Sequence, residues 1–180
     1  LWASTDHGFY KTIDGGDTWV QKNNYPIRDI EINPQNPNTL FGSSSSIFYS
    51  HDGGETFTSS AGMPLPADVG RVAICVTNAD TNYVYAVASD DNDGSLHGIY
   101  QSTDGGLNFN LKFDTLNLLG YSDDGTSSGG QSWYDLAIAC SHTNRNRILV
   151  GGINVWRSND GGNFFTIESH WVHPASIGYT

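Results

Sequence analysis

Ser158-Asn159-Asp160-Gly161-Gly162-Asn163-Phe164-Phe165 is one of four copies of a short pattern that decides the fold of this chain. Each copy has a Ser or Thr, any residue, Asp-Gly-Gly, two variable positions and then an aromatic residue. Glycine adopts positive φ without steric cost, and an Asp carboxylate accepts backbone N–H groups within a turn. The pattern therefore predicts four tight hairpin turns, called DGG turns below, with structural aspartates Asp14, Asp52, Asp104 and Asp160.

The spacing of the DGG turns indicates a repeated unit of four strands. Their aspartates lie 38, 52 and 56 residues apart, near the roughly 40–50 residues of one β-propeller blade. An apolar strand, an Asn-rich turn and a second apolar strand recur at residues 29–42, 73–86 and 137–150. Each repeat is therefore predicted to contain strands A and B joined by an Asn-rich turn, and strands C and D joined by a DGG turn.

The predicted fold class is all-β, a β-propeller with about three complete blades and two partial ones, and no segment predicts a helix. Complete blades are predicted at residues 25–60, 69–113 and 133–168. Residues 1–22 supply strands B to D of an earlier blade, and residues 171–180 the first strand of the next. These ends either close a four-bladed ring or belong to an arc of a larger propeller. Because the chain lacks an initiating Met, we expect a fragment of a larger, multi-domain protein.

The composition excludes several partners. Eight Lys and Arg against nineteen Asp and Glu give a net charge of −11, which argues against binding nucleic acid through a basic surface. No apolar run reaches the roughly 18 residues of a membrane helix, so no membrane insertion is expected. Cys75 and Cys140 lie in apolar runs and are predicted to be buried free thiols. No cofactor is predicted.

Chain geometry sorts the loops between two faces of a propeller. The A–B turns and the DGG turns share one face, and the B–C loops and the crossings between blades share the other, where ligands usually bind. The loops of this second face are residues 5–8, 43–46, 61–70, 89–98 and 114–133. The last two are long, and long loops are often functional. The Gly and Ser content of 114–133 predicts a mobile loop.

Three of these loops contain candidate site residues. Asp6 and His7 place an acid beside an imidazole. Asp90, Asn92 and Asp93 form an oxygen-rich set that could hold Ca²⁺, but without the bidentate Glu of an EF-hand a solvated turn is favoured. Trp133, Tyr134 and Asp135 combine aromatic rings with a carboxylate and are the predicted ligand-binding residues, together with His7.

The DGG pattern resembles the Asp-box (BNR repeat), the hairpin signature of a class of β-propellers. Residues 84–88, 98–106, 130–139 and 150–162 resemble segments of large secreted propeller proteins of Bacteroidetes, which use type IX secretion. This resemblance implies an extracellular or cell-surface location and a function in adhesion, binding or structural display. The chain has no Asn-x-Ser/Thr sequon, which favours a bacterial source.

The wider group of Asp-box proteins suggests alternative functions. Sialidases need three arginines around a carboxylate, and only Arg28 and Arg71 lie at strand A starts, so that site is not expected. Xyloglucanase-type endoglucanases have a catalytic aspartate in a motif that Thr5-Asp6-His7-Gly8 matches in part, with Phe9 where Gly is usual. Asp6 and Asp135 are therefore the candidate catalytic residues, since glycoside hydrolysis needs two carboxyl groups about 5–9.5 Å apart. Asp29 is another possible partner of Asp6.

The predicted function is binding of carbohydrate or protein at the loop-bearing face, without an assigned catalytic residue. The first alternative is a glycoside hydrolase of the xyloglucanase kind. The second is a sortilin-like receptor, in which a bound peptide would add a strand inside the central channel.

Overall fold

The structure is a computed structural model that describes residues 1–171 and contains four antiparallel sheets. The first sheet consists of β1 (Trp2–Thr5), β2 (Gly8–Lys11) and β3 (Val20–Asn23). The second consists of β4 (Asp29–Ile32), β5 (Leu40–Ser43), β6 (Ile47–Ser50) and β7 (Thr58–Ser59). The third consists of β8 (Val69–Val76), β9 (Val84–Asp90), β10 (Leu96–Ser102) and β11 (Asn110–Phe113). The fourth consists of β12 (Ala137–Cys140), β13 (Ile148–Gly151), β14 (Val155–Ser158) and β15 (Thr166–Ser169).

In every sheet the strands pair in chain order, so each sheet is a meander of consecutive hairpins. This confirms the all-β prediction. The strand predicted at residues 171–180 lies almost entirely outside the described residues. The first and fourth sheets are not joined by any hydrogen bond, ion pair or ring contact within residues 1–171.

Two short helices were not predicted. Pro66–Asp68 forms a 3-10 turn that begins with a proline, whose fixed φ suits a first helical position. Ser132–Asp135 forms a single helical turn, α1, immediately before β12. The fourth sheet therefore begins at Ala137, the first residue of the predicted stretch 137–150, and α1 occupies the first residues of the predicted blade 133–168. A single turn is too short to leave a periodic apolar pattern in the sequence, which is why no helix was predicted there.

Each DGG turn is held by the same small network of hydrogen bonds. In the third sheet the Ser102 hydroxyl donates to Asp104 Oδ1 at 2.7 Å and accepts from the Gly106 N–H at 2.9 Å. Asp104 Oδ1 also accepts from the Asn108 N–H at 3.0 Å. Burial alone would raise the pKa of the Asp104 carboxyl, but hydrogen bonds from Asn108 and Ser102 lower it to about 2. The corresponding bonds of the other three turns involve Thr12 with Asp14, Ser50 with Asp52, and Ser158 with Asp160.

The A–B turns lie beside the DGG turns, which confirms the predicted sharing of one face, called the turn face below. The first glycine of a DGG turn donates to the A–B turn of its own sheet: Gly53 to Asn38 O, Gly105 to Asn82 O and Gly161 to Asn146 O, at 2.8–3.0 Å. The opposite face, called the loop face, contains the B–C loops and the crossings between sheets.

Neighbouring sheets pack face to face through apolar side chains. Phe41 and Ile47 of the second sheet pack with Val72, Ile74 and Ala86 of the third. Tyr85 and Ile99, on the opposite side of the third sheet, pack with Ile148, Val150 and Trp156 of the fourth. The first strands β4, β8 and β12 lie side by side, and the Ile74 N–H donates to Asp29 Oδ2 at 2.9 Å.

A disulfide between Cys75 and Cys140 joins β8 to β12, so the prediction of two free thiols was wrong. The two residues are 65 positions apart in the chain, and their Cα atoms lie 5.9 Å apart. They lie on the first strands of neighbouring sheets, and they come close together because these sheets pack against each other. Two cysteines without a characteristic spacing gave no local signal of this pairing.

Glu31 occupies the position of β4 that corresponds to Cys75 of β8, and it is partly buried. Burial, reinforced by the charge of Asp29, raises the pKa of the Glu31 carboxyl from 4.5 to about 7. The folded protein therefore binds a proton that the unfolded chain releases, and stability is lost as the pH rises from about 4.5 to about 7.

We expect Glu31→Gln to increase the free energy of unfolding at pH 8 by about 1–2 kcal/mol and to leave it almost unchanged at pH 4. This increase is smaller than the full pKa shift of the Glu31 carboxyl would give, because the side chain keeps some contact with water. Urea unfolding at the two pH values measures the difference. Equal effects of Glu31→Gln at pH 4 and pH 8 would show that folding does not raise the pKa of the Glu31 carboxyl.

Glu55→Gln is the matched control for this experiment. Hydrogen bonds and charges from Lys11 and Lys22 lower the pKa of the Glu55 carboxyl. Its ionised form is therefore the one favoured by folding, and removing the charge is expected to decrease stability at neutral pH, the opposite sign to Glu31→Gln.

Candidate functional site

The loop face of the third and fourth sheets contains two cavities separated by helix α1. The larger has a volume of about 460 Å³ and is lined by Arg28, Gly70, Arg71, Ser89, Asp90, Asp91, Asn92, Asp93, Gly94, Ser132 and Trp133. The smaller has a volume of about 280 Å³ and is lined by Tyr121, Gln131, Asp135, Gly152, Ile153 and Trp171. Helix α1 contributes Ser132 and Trp133 to one cavity and Asp135 to the other.

Helix α1 presents two aromatic side chains to solvent between the cavities. Trp133 is 69% exposed and Tyr134 is 81% exposed, whereas Ser132 is buried. The turn closes through hydrogen bonds from the Tyr134 and Asp135 N–H groups to Gln131 O at 2.8 and 3.2 Å. The predicted ligand-binding residues Trp133, Tyr134 and Asp135 thus lie on a single helical turn at the end of the long loop.

Two arginines with unused hydrogen-bonding capacity face the larger cavity. Among the described residues neither Arg28 nor Arg71 forms an ion pair, although Arg145 and Arg157 do. Arg71 Nη1 donates to Ser132 O at 3.5 Å, and Arg71 Nε is buried without a partner. The sequence placed Arg28 and Arg71 at strand starts but did not predict that they meet in one cavity.

The predicted calcium candidates form the opposite wall of this cavity. Asp90 Oδ1 accepts from the Asn92 N–H at 2.8 Å, and Asp93 Oδ1 accepts from the Ser95 N–H at 2.9 Å. The Asp93–Ser95 hydrogen bonds lower the pKa of the Asp93 carboxyl. Within residues 1–171 no group of three His, Cys, Asp or Glu side chains is placed to hold a metal ion. Asp90 Oδ1 and Asp93 Oδ1 each close a local turn of this loop through those hydrogen bonds.

The smaller cavity has aromatic walls and is also lined by the Asp135 carboxylate. The rings of Tyr121 and Trp171 meet edge to face with centroids 5.4 Å apart. Asp135 Oδ1 is buried without a hydrogen-bond partner. Burial raises the pKa of the Asp135 carboxyl, against the opposing effects of a backbone hydrogen bond and the charge of Arg71. Tyr121, Gln131 and Trp171 were not predicted as site residues, because their meeting depends on the path of the long loop.

The long loop 114–131 is anchored, contrary to the mobility predicted from its composition. Leu118 and Leu119 are fully buried. Asn117 Nδ2 donates to Ser127 O at 2.9 Å and to Gly129 O at 2.7 Å. These contacts give the aromatic cavity a fixed wall.

Asn154 connects the two aromatic walls of the smaller cavity without lining it. This buried amide places Nδ2 within 3.0–3.3 Å of the carbonyl oxygens of Gly120, Tyr121 and Ser122. Its Oδ1 accepts from the Trp171 N–H at 3.2 Å. The positions of Tyr121 and Trp171 are thus both set by one side chain.

Asp6 and His7 lie apart from both cavities. They occupy the exposed turn between β1 and β2, where the Thr5 hydroxyl donates to Gly8 O at 2.9 Å and accepts from the His7 N–H at 3.1 Å. Neither residue lines either cavity, and within the described part of the chain no hydrogen bond or ion pair links Asp6 to Asp135 or Asp29. The structure therefore does not bring the two predicted catalytic residues into contact.

No helix among the described residues is long and apolar enough to span a membrane.

Comparison with known proteins places the chain among β-propellers. No protein-family profile matches it. A xyloglucanase of Paenibacillus sp. is 30% identical over 117 residues, which cover 61% of this chain and 11% of the relative. The chain thus spans about a tenth of the length of that curated relative.

Solved structures agree on the fold. An ancestral GH74 enzyme superimposes with a TM-score of 0.66 at 16% identity, covering 92% of this chain and 22% of that one. A GH74 enzyme of Niastella koreensis gives a TM-score of 0.61 at 19% identity, covering 92% and 27%. YCF48 of Cyanidioschyzon merolae gives 0.50 at 18% identity, covering 78% and 36%. These similarities support a partial β-propeller fold.

Proposed function

We propose that this chain is part of a carbohydrate-binding β-propeller, whose polysaccharide ligand lies across helix α1 on the loop face. The observation that supports this most directly is the arrangement of two open cavities on either side of an exposed aromatic ridge. A saccharide chain has apolar ring faces and hydroxyl groups that both donate and accept hydrogen bonds. Trp133 and Tyr134 offer ring faces to such a ligand at low entropic cost.

The two cavities complement different parts of a saccharide. The larger cavity has hydrogen-bond donors on Arg28 and Arg71 and acceptors on the 90–93 turn. The smaller has the rings of Tyr121 and Trp171 and is also lined by Asp135 and Gln131, whose side chains can hydrogen-bond hydroxyl groups. A pocket lined by aromatic side chains and a few unpaired polar groups is typical of ligand sites. The similarity to a xyloglucanase favours a neutral, branched β-glucan.

The disulfide supports an extracellular or cell-surface location for this activity. Disulfides persist in oxidising compartments and are rare in the reducing cytosol. Cys75 and Cys140, the two cysteines of the chain, are paired. We also propose that this chain is associated with the remainder of a longer multi-domain protein.

The test measures binding of soluble xyloglucan, with mixed-linkage β-glucan and a galactan for comparison, by calorimetry. Trp133→Ala and Trp171→Ala are each expected to weaken xyloglucan binding about 10-fold or more, since loss of a central aromatic contact costs more than about 1.4 kcal/mol. Phe164→Ala is the matched control, because Phe164 is 62% exposed but belongs to a DGG turn on the turn face. Equal losses at Trp133 and Phe164, or no binding of any glycan, would contradict the proposal.

Glycoside hydrolysis is the second candidate, favoured by the raised pKa of the Asp135 carboxyl and by its position in the wall of the smaller cavity. A carboxyl that stays protonated at higher pH can act as a general acid toward a glycosidic oxygen. Release of reducing ends from xyloglucan that Asp135→Asn abolishes, with binding retained, would establish hydrolysis. Binding without release of reducing ends would support the binding function alone.

A further inference from the structure

An exposed tyrosine lies on the loop face, in the crossing between the first and second sheets. Tyr25 is 50% exposed, although both sheets that this crossing joins belong to the described part of the chain. Its ring stacks on Phe48 of β6, with centroids 5.4 Å apart and ring planes 3° from parallel. Phe48 therefore covers one face of the Tyr25 ring, and the other face and the edge of the ring meet solvent.

The backbone around Tyr25 is held in place on both sides. The Tyr25 N–H donates to Asn23 Oδ1 at 3.2 Å. The next residue is Pro26, and a proline restricts the residue before it to extended conformations. Beyond it, Ile27 is buried in the core and the Arg28 N–H donates to a carbonyl group of β5 at 2.7 Å. A ring that is stacked and anchored before a ligand arrives loses little conformational entropy on binding.

Tyr25 occupies the position in the second sheet that Trp133 occupies in the fourth. β4 begins at Asp29 and β12 at Ala137, and each of these residues pairs with the last residue of the second strand of its sheet. Tyr25 and Trp133 each lie four residues before that strand start. Val69, the equivalent residue of the third sheet, is buried. The repeat itself therefore does not require an exposed ring at this position.

The larger cavity connects these two rings. Residues at the starts of the second, third and fourth sheets line it, among them Arg28, Arg71 and Trp133. Arg28 follows Tyr25 by three residues, a stretch of chain that spans at most about 11 Å. A ligand that runs from Trp133 through this cavity to Arg28 therefore approaches Tyr25.

We propose that Tyr25 forms a further subsite, called the Tyr25 subsite below, for a sugar ring of a polysaccharide that also contacts Trp133. This inference rests on the proposed carbohydrate binding and extends it across the starts of three sheets. The exposed face of the Tyr25 ring packs on the apolar face of the sugar. Only an oligosaccharide long enough to cross the larger cavity reaches both rings, and the two linked contacts together strengthen its binding.

The test measures, by calorimetry, the binding of polymeric xyloglucan and mixed-linkage β-glucan and of size-fractionated oligosaccharides from both. We expect Tyr25→Ala to weaken binding of the polymer about 5-fold or more. Binding of the shortest oligosaccharide that still requires Trp133 is expected to stay unchanged in Tyr25→Ala, because that ligand does not reach Tyr25. Trp133→Ala is expected to weaken binding of both the polymer and this oligosaccharide.

Two further substitutions separate the ring face from the bulk of the side chain. Tyr25→Phe keeps the stacked ring and is expected to bind the polymer as the unmodified protein does. Tyr25→Leu is apolar but has no flat face, and it is expected to show the loss seen in Tyr25→Ala. Phe164→Ala on the turn face is again the control for an exposed aromatic residue outside the site.

The outcomes distinguish this inference from the proposed function. Unchanged polymer binding by Tyr25→Ala, with a loss in Trp133→Ala, overturns the Tyr25 subsite and leaves the proposed function standing. Equal losses by Tyr25→Ala for short and long ligands also overturn it, because the substitution would then act through the fold. If the unmodified protein binds no glycan, the proposed function fails and the Tyr25 subsite fails with it.

Discussion

Reduction of the Cys75–Cys140 disulfide is expected to lower the free energy of unfolding by about 4 kcal/mol. The bond closes a loop of 65 residues, and the loss of unfolded-chain entropy on closing a loop of this length gives the estimate. The effect is expected to be concentrated in the third and fourth sheets, because the bond joins their first strands β8 and β12. Urea unfolding with and without reductant measures it.

The double variant Cys75→Ala/Cys140→Ala provides the control for this prediction. It should unfold at a lower urea concentration than the oxidised protein and should no longer respond to reductant. Identical unfolding midpoints for the oxidised and reduced protein would show that the disulfide does not contribute to stability. A response of the double variant to reductant would show that the reagent acts elsewhere.

Gly106→Ala is expected to destabilise the fold by about 3 kcal/mol, the second largest effect. Gly106 has a φ of +85°, a conformation that costs an alanine about 1 kcal/mol or more. A Cβ at Gly106 would also lie 2.2 Å from Phe41 Cε1. Phe41 is fully buried between the second and third sheets, so its ring can move only by disturbing that core, at a typical cost of about 1–3 kcal/mol.

The neighbouring Gly105→Ala separates these two costs. Gly105 has a φ of +76°, and a Cβ at this position meets no atom within 4 Å. We expect Gly105→Ala to cost about 1 kcal/mol, from backbone conformation alone. Thermal or urea unfolding of both variants gives the comparison. Equal destabilisation would mean that contact with the preceding sheet contributes nothing to the requirement for glycine.

The repeated elements were predictable from the sequence because their causes are local. The DGG turns depend on residues within eight positions of one another, such as Ser102, Asp104 and Asn108. Strand alternation is likewise a short-range property. The all-β class, the order of the sheets and the sharing of one face by two kinds of turn could therefore be inferred before the structure was known.

The features that escaped prediction depend on contacts between distant residues. Cys75 meets Cys140 only because neighbouring sheets place their first strands side by side. Arg28 and Arg71 share a cavity for the same reason. Tyr121 meets Trp171 because an anchored loop returns to the end of the fourth sheet. Trp133 and Tyr134 are exposed on the loop face and Asp135 is partly buried beside them, but the single helical turn that they form has no periodic signal in the sequence.

The position of Asn154 has a consequence for how the smaller cavity could change its selectivity. One amide group is bonded to the backbone beside both aromatic walls, at Tyr121 and at Trp171. Residues that share a partner are energetically coupled, so the effects of changing both walls would not add. An evolving site of this kind can alter its shape through a buried residue that no ligand touches.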